Sequence, residues 1–276
     1  RNGWVRRYTG GIVYDDNRFT DVIEPSLPAA IPEDRKLVYP FVGIEILEDR
    51  FETARNRNQI ERTEDFLTGV RFSATLGWSN ESFGADRDAL LYSLSASRSF
   101  GDLAKSVLLL SARASGRMES GDLANGLFSL DAVYFKQQSD KRTFVATLDA
   151  TWGDNLDLDT RVELGGDTGL RGYPIRYQSG ESRLLLSLEQ RYFTDWYPFR
   201  LFRVGGALFA DAGRTSGNNP LGDESLGWLT DVGFGLRLAG TRTSSRNMIH
   251  IDVAFPLNGD PSIDSVQFSV ESKRSF

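Results

Sequence analysis

The sequence predicts an all-β protein: a transmembrane antiparallel β-barrel of about twelve strands, formed by residues 1–276 as a single domain. Three observations predict it. Apolar and small or polar residues alternate with a period of two along nearly the whole chain. The alternating segments run to about ten to thirteen residues, long for globular strands but suited to crossing a bilayer at a tilt. The last one, Gln267-Phe-Ser-Val-Glu-Ser-Lys-Arg-Ser-Phe276, finishes on an aromatic residue at the chain end. Such a strand leaves an open edge unless another strand, ideally the first, closes against it.

Segments are expected at 5–16, 38–49, 66–79, 89–99, 106–118, 126–136, 142–153, 181–193, 202–213, 227–239, 247–257 and 266–276. An even number suits a hairpin-built barrel. The seventh sets Phe144, Ala146, Leu148, Ala150 and Trp152 against Thr147, Asp149 and Thr151. The eighth sets Leu184, Leu186 and Leu188 against Ser187, Glu189 and Arg191. In the tenth, Trp228, Val232, Phe234, Leu236 and Leu238 oppose Asp231, Gly233, Gly235 and Arg237; in the eleventh, Ile251, Val253 and Phe255 oppose His250 and Asp252. No stretch sustains a helical apolar period, and no apolar run is long enough for a transmembrane helix.

Connections at Gly101–Lys105, Gln137–Lys141, Asp195–Leu201 and Gly240–Arg246 are short, whereas 17–37, 80–88, 154–180, 214–226 and 258–265 are long. Short periplasmic turns and longer extracellular loops follow that parity. The charged segment 50–65 breaks it, being long on the short side; either it is functional or the strand count slips in the first third. Trp78, Trp152, Trp196 with Tyr197, and Trp228 fall near strand ends, as an interfacial aromatic belt requires.

A formal charge of −6, from 38 acidic and 32 basic residues, offers no global basic field for nucleic acid. With no Cys there are no disulfides and no thiolate metal sites. The chain opens on Arg1 without Met or a signal-like segment, which reads as a mature form or a fragment. The one His, His250, lacks the partners of a catalytic dyad or zinc site and reads as a hydrogen-bonding residue of the polar face. The acids of Asp154-Asn-Leu-Asp-Leu-Asp159 lack the Gly and final Glu of a calcium-binding loop and read as a solvated loop. No nucleophile elbow or phosphate-binding loop occurs, so the expectation is no enzyme activity, no catalytic residue, no metal and no cofactor.

Residues 164–173, Leu-Gly-Gly-Asp-Thr-Gly-Leu-Arg-Gly-Tyr, resemble the Arg-Gly-Phe/Tyr loop motif of the Omp85 superfamily, the bacterial surface antigen (D15) family of BamA- and TamA-like barrels. Gly205-Gly-Ala-Leu-Phe-Ala-Asp-Ala-Gly213, Asp231–Arg237, Ile249–Leu257 and the final Phe276 resemble its following strands and terminal signature, so the resemblance is strongest over 160–276. It implies an extracellular loop folded into the lumen, carrying Gly166, Gly169, Leu170, Arg171, Gly172 and Tyr173. Arg171 would be pinned to Asp211, with Glu189 as a second wall partner. It also implies insertion or translocation of other polypeptides in the outer membrane of a Gram-negative bacterium, with an organelle outer membrane as the secondary location. Partners would be outer-membrane lipid, lipopolysaccharide and client polypeptides, with no nucleic acid. Assembly members of that family have sixteen strands and soluble POTRA domains; this sequence shows neither. A translocator or anchor barrel of a larger protein, a plugged passive pore and a soluble all-β binding domain therefore stay open.

Overall fold

The computed structural model describes residues 3–20, 31–217, 225–242 and 247–274. Sixteen strands follow in chain order: β1 (Gly3–Asn17), β2 (Arg35–Asp49), β3 (Phe51–Arg55), β4 (Thr63–Leu67), β5 (Arg71–Ser79), β6 (Ala89–Asp102), β7 (Ser106–Glu119), β8 (Asp122–Ser139), β9 (Arg142–Asp154), β10 (Val162–Leu164), β11 (Gln178–Gly180), β12 (Ser182–Phe193), β13 (Phe202–Ser216), β14 (Leu229–Gly240), β15 (Asn247–Pro256) and β16 (Gln267–Arg274). Twelve of them form one antiparallel sheet in the order β1-β2-β5-β6-β7-β8-β9-β12-β13-β14-β15-β16. The order is a meander, interrupted only by two inserted hairpins, β3–β4 and β10–β11. Among the described residues β1 and β16 stand at the two ends of the order and do not pair with each other. Among the described residues the expected seam between first and last strands is therefore not formed, and Phe276 lies outside them.

The sheet is strongly curled. Arg35 of β2 bonds Asp157 and Asp159, which follow β9, although β5 to β8 lie between the two strands in the sheet. Its two faces have inverted polarity. On β12, β14 and β16 the outer side chains Leu188, Phe234 and Phe268 are 39%, 52% and 68% exposed. On the concave face Glu189, Asp211, Arg237 and Asp252 are 6%, 2%, 0% and 3% exposed. A water-soluble sandwich places these classes the other way round.

The parity of connections divides the sheet into two ends. One carries 80–88, the tight turn at Ser120–Gly121, the 155–181 connection with β10–β11, and 257–266. The other carries 103–105, 140–141, 194–201 and, against that pattern, 50–70 with β3–β4. The expected segment 66–79 is thus two elements, with Phe66 and Leu67 belonging to β4 and the wall strand starting at Arg71. The chain is pinched between them. Thr68 and Gly69 N–H groups donate to the Arg50 carbonyl at 2.9 and 3.2 Å. A Cβ on Gly69 would stand 2.5 Å from the Glu48 carbonyl oxygen, so only glycine permits that approach.

Three apolar clusters occupy the concave side. Leu164, Leu170, Tyr173, Leu185 and Leu229 lie under the 155–181 connection. Ala54, Phe66, Leu103, Val107, Phe135 and Val145 lie under β3–β4, and Ile60, Phe193, Ala239 and Met248 surround its tip.

Two glycines separate backbone cost from packing cost. Gly121 has φ +97 and nothing within 4 Å of a Cβ, so Gly121→Val is expected to cost about 1–2 kcal/mol through φ alone. A Cβ on Gly235 would stand 1.8 Å from Asp252 Oδ1 and 2.5 Å from the Ile251 carbonyl, so Gly235→Ala is expected to cost more than Gly121→Val. Urea unfolding in detergent checks the order.

Candidate functional site

The site is built where the 155–181 connection folds onto the concave face of β12 to β15. β10 and β11 pair through Val162↔Gly180, Glu163↔Ser179 and Leu164↔Gln178, tying the two stems of the inserted loop together. Wall residue Arg183 fixes that base, donating to the Glu163 carbonyl at 2.8 Å and to Asp149 at 2.7 Å. Between the stems the chain turns tightly. Gly166 N–H donates to the Pro174 carbonyl at 3.0 Å, and its own Cβ would lie 2.7 Å from the Tyr173 carbonyl oxygen. Gly169 has φ +115, the left-handed conformation that glycine adopts without a Cβ penalty. The turn delivers Leu170, fully buried, into the cluster with Leu185 and Leu229.

Arg171 follows directly and is 4% exposed. Its Nε and Nη2 donate to Asp211 Oδ2 and Oδ1, both at 2.8 Å, in a two-pronged pairing. Nη1 donates to Glu189 Oε2 at 2.9 Å and Nη2 to Ser187 Oγ at 3.0 Å. The guanidinium lies 3.4 Å from the centroid of the Phe209 ring, which adds a cation–π contact on its face. Gly172 N–H donates to Asp231 Oδ2 at 2.8 Å, and a Cβ there would stand 2.4 Å from Asp231 Cβ. The Tyr173 hydroxyl reaches the Thr230 and Asn258 carbonyls at 2.9 and 2.8 Å. The structure thus brings Gly166, Gly169, Leu170, Arg171, Gly172 and Tyr173 together with Glu189 and Asp211.

It also adds residues that the sequence reading left out of the site. Arg237 donates to both Glu189 oxygens, at 3.3 and 3.1 Å, and to Asp252; Arg191 donates to Glu189 Oε1 at 2.7 Å. Asp211 and Asp231 are direct register partners across β13 and β14. Like charges so placed repel, and the Arg171-Gly172 pair meets one carboxylate with each residue. The signal for Arg237, Asp252 and Asp231 was present as inward parity, yet parity does not say which inward charges meet. The arrangement holds four carboxylates and three guanidiniums, and the Ser187 hydroxyl within it donates to Asp211 Oδ1. Its chemistry is that of a lock. His250 is buried on the same face, between Met248 and Asp252 in the strand. Among the described residues no group of three or more His, Cys, Asp or Glu side chains is placed to hold a metal ion.

Two acids of the 154–159 run, Asp157 and Asp159, are held in ion pairs. Asp157 pairs with Arg35 at 2.8 Å and bidentately with Arg117, and Asp159 pairs with Arg35 at 2.9 Å. These pairs tether the start of the inserted loop to β2 and β7. Arg35's hydrogen bond to Asp159 holds that carboxyl below its usual range, with partial burial opposing it.

No known protein-family profile and no curated protein matches the chain.

Two outcomes follow from the geometry. Arg171→Ala leaves four buried carboxylates facing two guanidiniums, and is expected to cost about 3–5 kcal/mol in detergent unfolding, as for a broken buried ion pair. Arg171→Lys keeps the charge, loses the two-pronged fit and is expected to lose less. For Asp159, a lowered folded-state pKa means the Arg35 pairing contributes stability above the ordinary value of about 3.9 and loses it as pH falls through the lowered one. Hydrogen exchange over 155–160, corrected for intrinsic rate, is expected to accelerate at pH 3 relative to pH 7.

Proposed function

We propose that this chain is an outer-membrane β-barrel of the Omp85 type that inserts or translocates other polypeptides without a chemical step. The observation that carries the membrane reading is the inverted polarity of the sheet: a mostly apolar convex face around a concave one that buries charge on β12 to β15. Lipid accepts the first, and a lumen the second. Strand lengths support it, since β9, β12 and β14 have 13, 12 and 12 residues, enough for a tilted strand to cross. Exposed Trp78, Trp152 and Trp228 sit at the end bearing the inserted Arg171 loop, and exposed Trp4 and Trp196 at the other. Two rings at strand ends suit the two interfaces of a bilayer. The membrane in this reading is that of a Gram-negative bacterium, with lipopolysaccharide at the Arg171 end.

The Omp85 assignment rests on the 164–173 motif together with the Arg171–Asp211 pairing. A protein-handling role rests on the sheet's two ends. Within the described residues β1 and β16 each have one edge without a partner strand. Backbone donors and acceptors at such an edge, placed in a bilayer, are satisfied by a client strand through β-augmentation. A second reading, a plugged passive barrel or the anchor of a larger protein, is favoured by the filling of the concave side from both ends.

Purified chain in liposomes is expected to accelerate insertion of a radiolabelled client barrel above empty liposomes, with Arg171→Ala reducing the gain. No acceleration by folded, heat-modifiable protein overturns the insertion activity in favour of the anchor. A chain that stays monodisperse without detergent overturns the membrane reading itself.

A further inference from the structure

The hairpin β3–β4 is the element that the lock at Arg171 does not explain. It leaves the wall at Arg50 and rejoins it at Gly69, folding beneath the sheet at the end opposite the Arg171 loop. Its seat is built for it. Val107, Leu109, Val133, Phe135 and Val145 make an apolar patch on the inward side of β7 to β9. Ala54 and Phe66 cover that patch, with the Phe66 and Phe135 rings edge to face at 6.4 Å.

The tip then crosses to the other wall. Ile60 packs on Phe193, Ala239 and Met248, and Arg62 donates to the Gly240 carbonyl at 3.0 Å. Asn56 donates to the Asp140 carbonyl at 2.7 Å, Thr143 donates to the Asn56 carbonyl at 2.9 Å, and buried Arg57 donates to the Leu103 carbonyl. Arg203 pairs with Glu61 at 2.8 Å. The tip itself is held in shape from within. The Glu64 carboxylate accepts N–H groups of Arg57, Asn58 and Gln59 at 3.0, 3.0 and 3.2 Å. A solvated periplasmic turn would need none of these contacts.

One side chain joins this hairpin to the lock. Arg191 donates through Nη1 to the Arg57 carbonyl at 2.7 Å and through Nε to Glu189, the partner of Arg171. A cavity of about 320 Å³ lies between the two inserts, bounded by Asn58 of the tip and by Gly169 and Arg171 of the loop.

We propose that residues 51–67 are a gate seated in the mouth of the barrel opposite the Arg171 loop, and that Arg191 couples the seating of this gate to that loop. The proposal rests on the barrel reading for its biological meaning, because a gate matters only where there is a lumen to close. Anything passing along the lumen must first lift Phe66 and Ile60 from their seats. The points where the chain is pinched, Arg50 and Thr68–Gly69, are where it would swing.

The chain has no cysteine, so a single thiol at Val145→Cys, 2% exposed beneath the hairpin, reports the gate cleanly. Labelling by a hydrophilic maleimide in detergent tracks the population in which the gate is lifted, and Ile60→Asp with Phe66→Asp is expected to raise its rate by about tenfold or more. Arg191→Gln is expected to raise it by a smaller factor, and to increase protease cleavage within 165–177 as the loop loosens. If the double variant fails to fold, excision of 51–67 serves instead, because Thr68 N–H already bonds the Arg50 carbonyl and the cut ends meet. Equal labelling rates with and without a seated hairpin, in heat-modifiable protein, overturn the gate. An Arg191→Gln effect on neither readout overturns the coupling. Labelling in detergent reads the gate whether or not the chain inserts into liposomes, so the gate and the membrane reading fail separately.

Discussion

The rest of the structure depends on the pairing of Arg171 with Asp211. Four carboxylates, Glu189, Asp211, Asp231 and Asp252, project from neighbouring strands into a space almost closed to water. Strands alone cannot stabilise that arrangement, since Asp211 and Asp231 are opposite each other in register and a buried ion without a partner costs several kcal/mol. Arg191 and Arg237 come from the wall, but the cation that grips Asp211 with both nitrogens comes from a loop. Loop and wall are therefore each incomplete without the other. The buried pairs add little net stability against a hydrophobic alternative. What they provide is one position for the loop, held by directional bonds on several sides.

That dependence explains why glycine recurs around Arg171. Its guanidinium must reach the wall while the backbone lies almost against it, and Gly172 already meets Asp231 closely enough to exclude a Cβ. Leu170 and Tyr173, on either side, bury apolar surface that offsets part of the cost of ordering the loop. Tyr173 extends the docking to Thr230 and Asn258, so the loop touches the connection between β15 and β16 as well as the wall. That connection leads into β16, which stands at one end of the sheet among the described residues.

The concave side is filled from both ends by different means. The Arg171 loop docks mainly through charge, and the β3–β4 hairpin mainly through apolar contact, with Glu189 and Arg191 at their junction. Charge-mediated docking is directional and sensitive to single substitutions. Apolar docking is less directional, and at the hairpin it is supplemented by the Arg203–Glu61 pair and by hydrogen bonds from Asn56, Arg57 and Arg62. The two inserts are thus seated by different physics.

Twelve wall strands were legible because alternation is local: successive side chains of an extended backbone point to opposite faces whatever the remainder of the chain does. The same local rule put Glu189, Asp211, Asp231, Arg237 and Asp252 inward. The 164–173 motif marked Arg171 through resemblance, not through any pattern of its own. Sequence alone leaves the charged segment 50–65 as either functional or a slip in the strand count, because the partners of its hairpin are carbonyls at Leu103, Asp140 and Gly240, remote in sequence and invisible to periodicity. One trace of it was present, in Val107-Leu-Leu-Leu110 and Val133-Tyr-Phe135, where alternation fails and both faces turn apolar. The sequence by itself determined the strands, their faces and the residues able to form a lock. Only the tertiary structure decided which charges meet and which inward apolar residues are covered, because both depend on register, on sheet curvature and on where two long connections come to rest.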